Sequence, residues 1–169
     1  MRLSASSIPL LFVALAGCQG FGPPPDVSAQ PHATIAGTHM PADGRIDTFR
    51  TVAIDGHAVQ AYTDEPAKLI GVDEKNLVAA GRPVRVEIEG MAFYSNTVRR
   101  LFWSPMRAQG VVEFVPAAGA TYSLHGSLAP ELSSVWIEDD ATHAVIGNKI
   151  SVAGQAPAAP ADAASAAPQ

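Results

Sequence analysis

Histidines at positions 32, 39, 57, 125 and 143 are the side chains in this sequence best suited to bind metal or move protons near neutral pH. Their spacing does not gather them: none stands four residues from another on a plausible helix, and none forms a His-x-His pair on a strand. A zinc site would therefore need histidines and carboxylates collected from distant loops, because the chain has a single cysteine, Cys18. The histidines are read as scattered surface residues, and neither metal nor cofactor is expected. Glu138-Asp139-Asp140 is the densest acidic run. It lacks the alternating acids and central glycine of a calcium loop, and aspartates are ordinary turn residues, so it reads as a strand end and turn.

Nucleophilic catalysis finds no better support. There is no Gly-x-Ser-x-Gly elbow and no Ser-x-x-Lys, and Ser104 and Ser127 have no base that the sequence can assign to them. Glu87 and Glu89 share one face of a strand and are expected to be solvated. The chain is read as non-enzymatic. One cluster has the composition of a contact surface: Arg99, Arg100, Phe102 and Trp103, with Arg107 closing it. Arginine and tryptophan are enriched where proteins bind partners, so this is a candidate contact surface for anionic lipid headgroups, a glycan or a protein. The alternative is that Leu101, Phe102 and Trp103 cap one end of the fold while the arginines neutralise nearby acids.

The elements that would position such a patch follow from period and punctuation. Val84, Val86 and Ile88 alternate with Arg85, Glu87 and Glu89, the pattern of a half-buried strand. Phe49 to Ile54 and His57 to Tyr62 flank Asp55-Gly56, a dipeptide suited to the positive φ angles of a type I′ turn, which predicts a hairpin. Further short strands are expected at Thr34 to Thr38, Gly110 to Val115, Thr121 to Leu128, Ser133 to Glu138 and Ala144 to Val152. Two segments do not alternate. Asp73 to Ala80, stopped by Gly81 and Pro83, predicts one or two helical turns, and Asn96 to Ala108 predicts an irregular crossing or very short helix. The fold class is therefore all-β, an antiparallel β-sandwich or small barrel of about seven or eight short strands.

The ends differ from this middle. Met1-Arg2 supplies a short positive region and Ile8 to Leu15 an apolar stretch, too short to span a bilayer at about 20 residues for a stable helix. That is a cleavable signal. The residues after Cys18, Gln19-Gly20-Phe21-Gly22-Pro23-Pro24-Pro25-Asp26, disfavour helix and strand and read as a flexible tether. Beyond Gln155 the chain is nearly all Ala, Pro, Ser and Asp, with nothing to repay the entropy of ordering, so a disordered tail is expected. The resulting organisation is a signal peptide at 1–17, Cys18 and tether at 18–31, a β-sandwich domain at 32–153 and a tail at 154–169.

Leu15-Ala16-Gly17-Cys18 resembles the lipobox of bacterial lipoproteins, with leucine three before the cysteine and small residues between. The resemblance implies a diacylglycerol thioether on Cys18, cleavage after Gly17, and a further acyl chain on the new amine. It also accounts for an odd cysteine in an exported chain. Two or three acyl chains anchor durably where one would not. Gln19 stands where, in the sorting rule of Gram-negative lipoproteins, aspartate retains the protein in the inner membrane, so the resemblance implies the outer membrane, facing the periplasm or displayed on the cell surface. The C-terminus, Pro168-Gln169, lacks the lysine by which one lipoprotein family couples to peptidoglycan.

Gly110 to Val115, Ala118 to Leu124 and Val135 to Asp139, with Ala80 to Val86 upstream, resemble strands of small uncharacterised bacterial β-sandwich lipoproteins. That resemblance implies a fold and no activity. Removal of the signal takes Arg2 with it, leaving ten basic against sixteen acidic side chains, a balance that argues against a nucleic-acid partner. The expected function is a lipid-anchored, non-catalytic envelope module. The competing expectation is a small periplasmic ligand carrier or enzyme with a pocket between its sheets.

Overall fold

The computed structural model describes residues 23–42, 44–59, 74–94 and 106–154. Cys18 and the signal, the tether up to Gly22, the tail from 155 onward, and Arg99, Arg100, Phe102 and Trp103 lie outside the described residues. Ten strands and no helix are found among the described residues: β1 (His32–Ala36), β2 (Thr38–Ala42), β3 (Arg45–Ile54), β4 (His57–Ala58), β5 (Lys75–Ala79), β6 (Val84–Tyr94), β7 (Arg107–Phe114), β8 (Thr121–Ser127), β9 (Leu132–Asp139) and β10 (Val145–Ala153). One sheet has the order β10-β9-β8-β1-β5, and the other β2-β3-β6-β7 with β4 added beside β3. All pairings are antiparallel except β1 with β8.

The two sheets do not close into a barrel. On one side β7 and β10 come together by side-chain packing without pairing. A Cβ added at Gly110 would lie 2.8 Å from Ile150 Cδ1, and one at Gly147 2.7 Å from Val112 Cγ1, so a glycine on each strand lets the edges approach. On the other side the chain itself passes between sheets at Gly37, whose N–H donates to Glu74 O at 2.8 Å. Thr38 Oγ1 then donates to Leu124 O, tying β2 to β8 across the sandwich.

The alternation read in Val84, Val86 and Ile88 continues through β6 and faces the core, which these residues share with Ile35, Phe49, Val112, Leu124, Val135 and Ile137, all fully buried. Asp55 and Gly56 take φ angles of 50° and 83°, the two positive values of a type I′ turn. Its second strand is short, covering His57–Ala58, and residues 60–62 lie outside the described set.

Three expectations about elements need correction. Lys75–Ala79 is a strand and not a helical turn: its register with β1, from His32↔Ala79 to Ala36↔Lys75, provides backbone partners that a short helix would lack, and Val78 reaches the core. The segment before Asp55 contains an additional strand, β2, whose Met40-Pro41 sequence does not look like one. Pro41 is accommodated because β2 is an edge strand, with β3 on one side only. Within Asn96 to Ala108, Arg107 and Ala108 already belong to β7, while 96–105 lie outside the described residues.

Candidate functional site

Period two dictates that the outward side chains of each sheet form rows across neighbouring strands. On the five-stranded sheet, His125 of β8 stands opposite Trp136 of β9. Their rings stack, with centroids 6.4 Å apart and planes 27° from parallel. From the other flanking strand, Lys149 Nζ sits 3.7 Å from the indole centroid. Lys149 falls within the irregularity of β10, where Ile146 pairs with Ile137 and Ile150 with Val135, so three residues of β10 pass a single residue of β9.

The same row is extended by Glu138. Its Oε2 accepts from Trp136 Nε1 at 3.4 Å, and its Oε1 lies 3.1 Å from His143 Nδ1. The His143 contact foremost, then the indole N–H, holds the Glu138 carboxyl below the usual carboxylate range. Asp139 Oδ1 accepts from the backbone N–H groups of Ala141 and Thr142 and from the Thr142 hydroxyl. These bonds, that of Thr142 N–H first, depress its pKa as well. The acidic run thus spends its oxygens on the turn from β9 to β10.

The outer face of the other sheet carries a buried ion network. Arg50 of β3 lies opposite Glu89 of β6, and its Nε and Nη2 donate to Glu89 Oε2 at 2.9 and 2.7 Å. Arg107 Nε pairs with the second carboxylate oxygen. Glu87, next on the same face, accepts from Gln109 Nε2 at 2.7 Å. The expectation that Glu87 and Glu89 form a solvated face is therefore corrected for Glu89, which is only 1% exposed. A carboxylate can be buried there because a guanidinium opposes it in register on β3 and a second closes over it from β7.

Glu74, at the start of β5, lies close enough to this network to interact with the Arg50 charge. Burial is the dominant influence on its carboxyl and raises its pKa, against the opposing effects of the Asn76 side chain, Arg50, the Thr51 backbone and His39.

Of the five residues expected to form an interaction patch, Arg107 is the one described. Its side chain is about half exposed, but its Nε is committed to Glu89 and its Nη2 to Gln109. It therefore belongs to the ion network rather than standing as a free contact. His125 and His143 both neighbour Glu138, on the outside of the five-stranded sheet and its adjoining turn, while His57 is on β4 of the other sheet. Among the described residues no group of three or more His, Cys, Asp or Glu could hold a metal ion.

The alternation of Ser134, Trp136 and Glu138 with Val135 and Ile137 places Trp136 on the outer face, but register alone brings His125 and Lys149 beside it. The Arg50 and Glu89 pair was not recoverable from sequence either, because only strand register brings residues 39 apart into contact. Glu89 lies between two guanidinium groups, and Trp136 has one flanking strand's imidazole and the other's ammonium against its ring. Both arrangements tie strands together. The chain matches no protein-family model, no curated protein and no solved structure.

Proposed function

We propose that this chain is a lipid-anchored cell-envelope lipoprotein whose β-sandwich is a non-catalytic binding or structural module. The observation that carries the reading is the sequence Leu15-Ala16-Gly17-Cys18, preceded by a short positive region and an apolar run and followed by a proline-rich tether. Acyl chains on Cys18 hold the module at a membrane. Gln19 directs it to the outer membrane, facing the periplasm. The partner is an envelope protein or a glycan.

Two features of the domain support a module over a carrier or enzyme. The space between the sheets is occupied by Ile35, Phe49, Ile88, Leu124, Val135 and Ile137, where a carrier needs a concave pocket with convergent polar groups. On the outer faces Arg50, Glu89, Arg107 and Lys149 are engaged in cross-strand contacts that tie the sheets together. The test is metabolic labelling with palmitate. The native chain should incorporate label and shift to its processed mass, whereas Cys18→Ala should do neither. Labelling of the Cys18→Ala chain would overturn the reading.

A further inference from the structure

Resting on that anchored reading, we infer that one end of the sandwich contacts the lipid surface: the end carrying the uncharged turn from Val115 to Ala120. Chain direction defines this end. β1 enters it at His32, β5 leaves it at Ala79, β6 starts there at Val84, β7 finishes at Phe114 and β8 starts at Thr121. Gly119 N–H donates to His32 O at 2.8 Å, and Gly81 N–H to Pro116 O at 2.9 Å, so the turn lies beside the point where the chain enters the domain.

Val27, buried, is held near that entry by the turn in which Gln30 N–H donates to Val27 O at 3.0 Å. From Cys18 to Val27 the chain can extend at most about 30 Å. The sandwich is longer than this reach, because β6 runs from one end to the other and its eleven residues span about 34 Å. An inverted domain, with Leu132 and the turn between β8 and β9 against the bilayer, would put Val27 farther from the surface than the tether allows.

A side-on arrangement is disfavoured by charge. One outer face presents Lys75, Glu138 and Lys149, and the other Arg85, Glu87 and Glu113, all of which lose hydration against lipid. The turn has no charge from 115 to 120, and Val115, 57% exposed, is the most exposed large hydrophobic among the described residues. The Asp55 and Arg82 ion pair and exposed Asp140 share this end, which keeps the contact at headgroup depth.

Lipidation consumes the lone native thiol, so a cysteine placed elsewhere can be labelled uniquely. Full-length lipidated Ala118→Cys and Leu132→Cys chains, each carrying an environment-sensitive fluorophore, would be reconstituted in phosphatidylethanolamine and phosphatidylglycerol vesicles containing headgroup spin-labelled lipid. Both positions are exposed, so both variants should fold. Quenching at 118 should exceed that at 132 by about twofold or more. Equal quenching, or stronger quenching at 132, in chains that float with the vesicles would overturn the inference while leaving the anchor intact. Chains that fail to float and carry an unmodified Cys18 would overturn the anchor reading and the orientation with it.

Discussion

Glu89 shows how a single carboxylate can be structural on the outside of a sheet. Its partner Arg50 is itself almost fully buried, so Glu89→Ala removes one side of a buried ion pair. Such a loss costs about 3–5 kcal/mol. Arg107→Ala removes a half-exposed partner and should cost less, about 1 kcal/mol or below. Urea unfolding of the two variants measures the difference, and equal costs would refute the assignment of Arg50 as the principal counter-ion. Glu74 behaves in the opposite sense. Burial raises its pKa, so over the window from the ordinary carboxylate range up to the raised value the folded state holds more protons than the unfolded state. Its contribution to stability therefore falls as pH rises through that window. Glu74→Gln should gain stability relative to the native chain as pH rises above the ordinary carboxylate range, as read by paired denaturation curves. A constant difference would show that Glu74 does not titrate differently on folding.

At the scale of elements, Phe49 determines how closely β3 can lie beneath β8 and beside β6. A Cβ at Gly126 would fall 2.1 Å from Phe49 Cε1 and 2.5 Å from the Ser134 carbonyl oxygen, whereas one at Gly90 would meet the Phe49 ring at 2.9 Å. Gly126→Ala should cost about 3 kcal/mol or more, and Gly90→Ala about 1–2 kcal/mol. A Phe49→Leu background should relieve part of the Gly90→Ala penalty, because the obstruction there is one side chain. It should relieve less of the Gly126 penalty, where backbone also obstructs. A double-mutant cycle reads this coupling directly, and no coupling between positions 49 and 90 would refute the packing argument.

For the whole molecule, the tether and the strand directions act together. Arg45 pins the far end, donating to both oxygens of Asp47 at 2.7 and 3.0 Å and to Leu128 O at 2.7 Å, so that β3 and the turn between β8 and β9 are held across the sandwich. Under the proposed reading an anchor on Cys18 would add position and no folding contact that the domain requires. The Cys18→Ala chain in the palmitate experiment should consequently melt at the same temperature as the lipidated one, measured by circular dichroism. Under the proposed orientation, Tyr94 and Met106, the described residues on either side of 95–105, lie at the end away from the bilayer.

By itself the sequence determined what is local: the alternation of β6, the two positive φ angles at Asp55 and Gly56, and the all-β class that follows from many short strands with turn residues between them. The proposed processing signal at Cys18 rests on the same kind of feature, a run of consecutive residues. The tertiary structure alone decided what depends on register. It made Lys75–Ala79 a strand by offering β1 as a partner, accommodated Pro41 by placing β2 at an edge, and buried Glu89 by setting Arg50 opposite it. It also set Arg107 beside Glu89 as an ion pair. In each case the decisive neighbour is distant in the chain, and a carboxylate or a proline acquires its meaning only from the strand that comes to lie beside it.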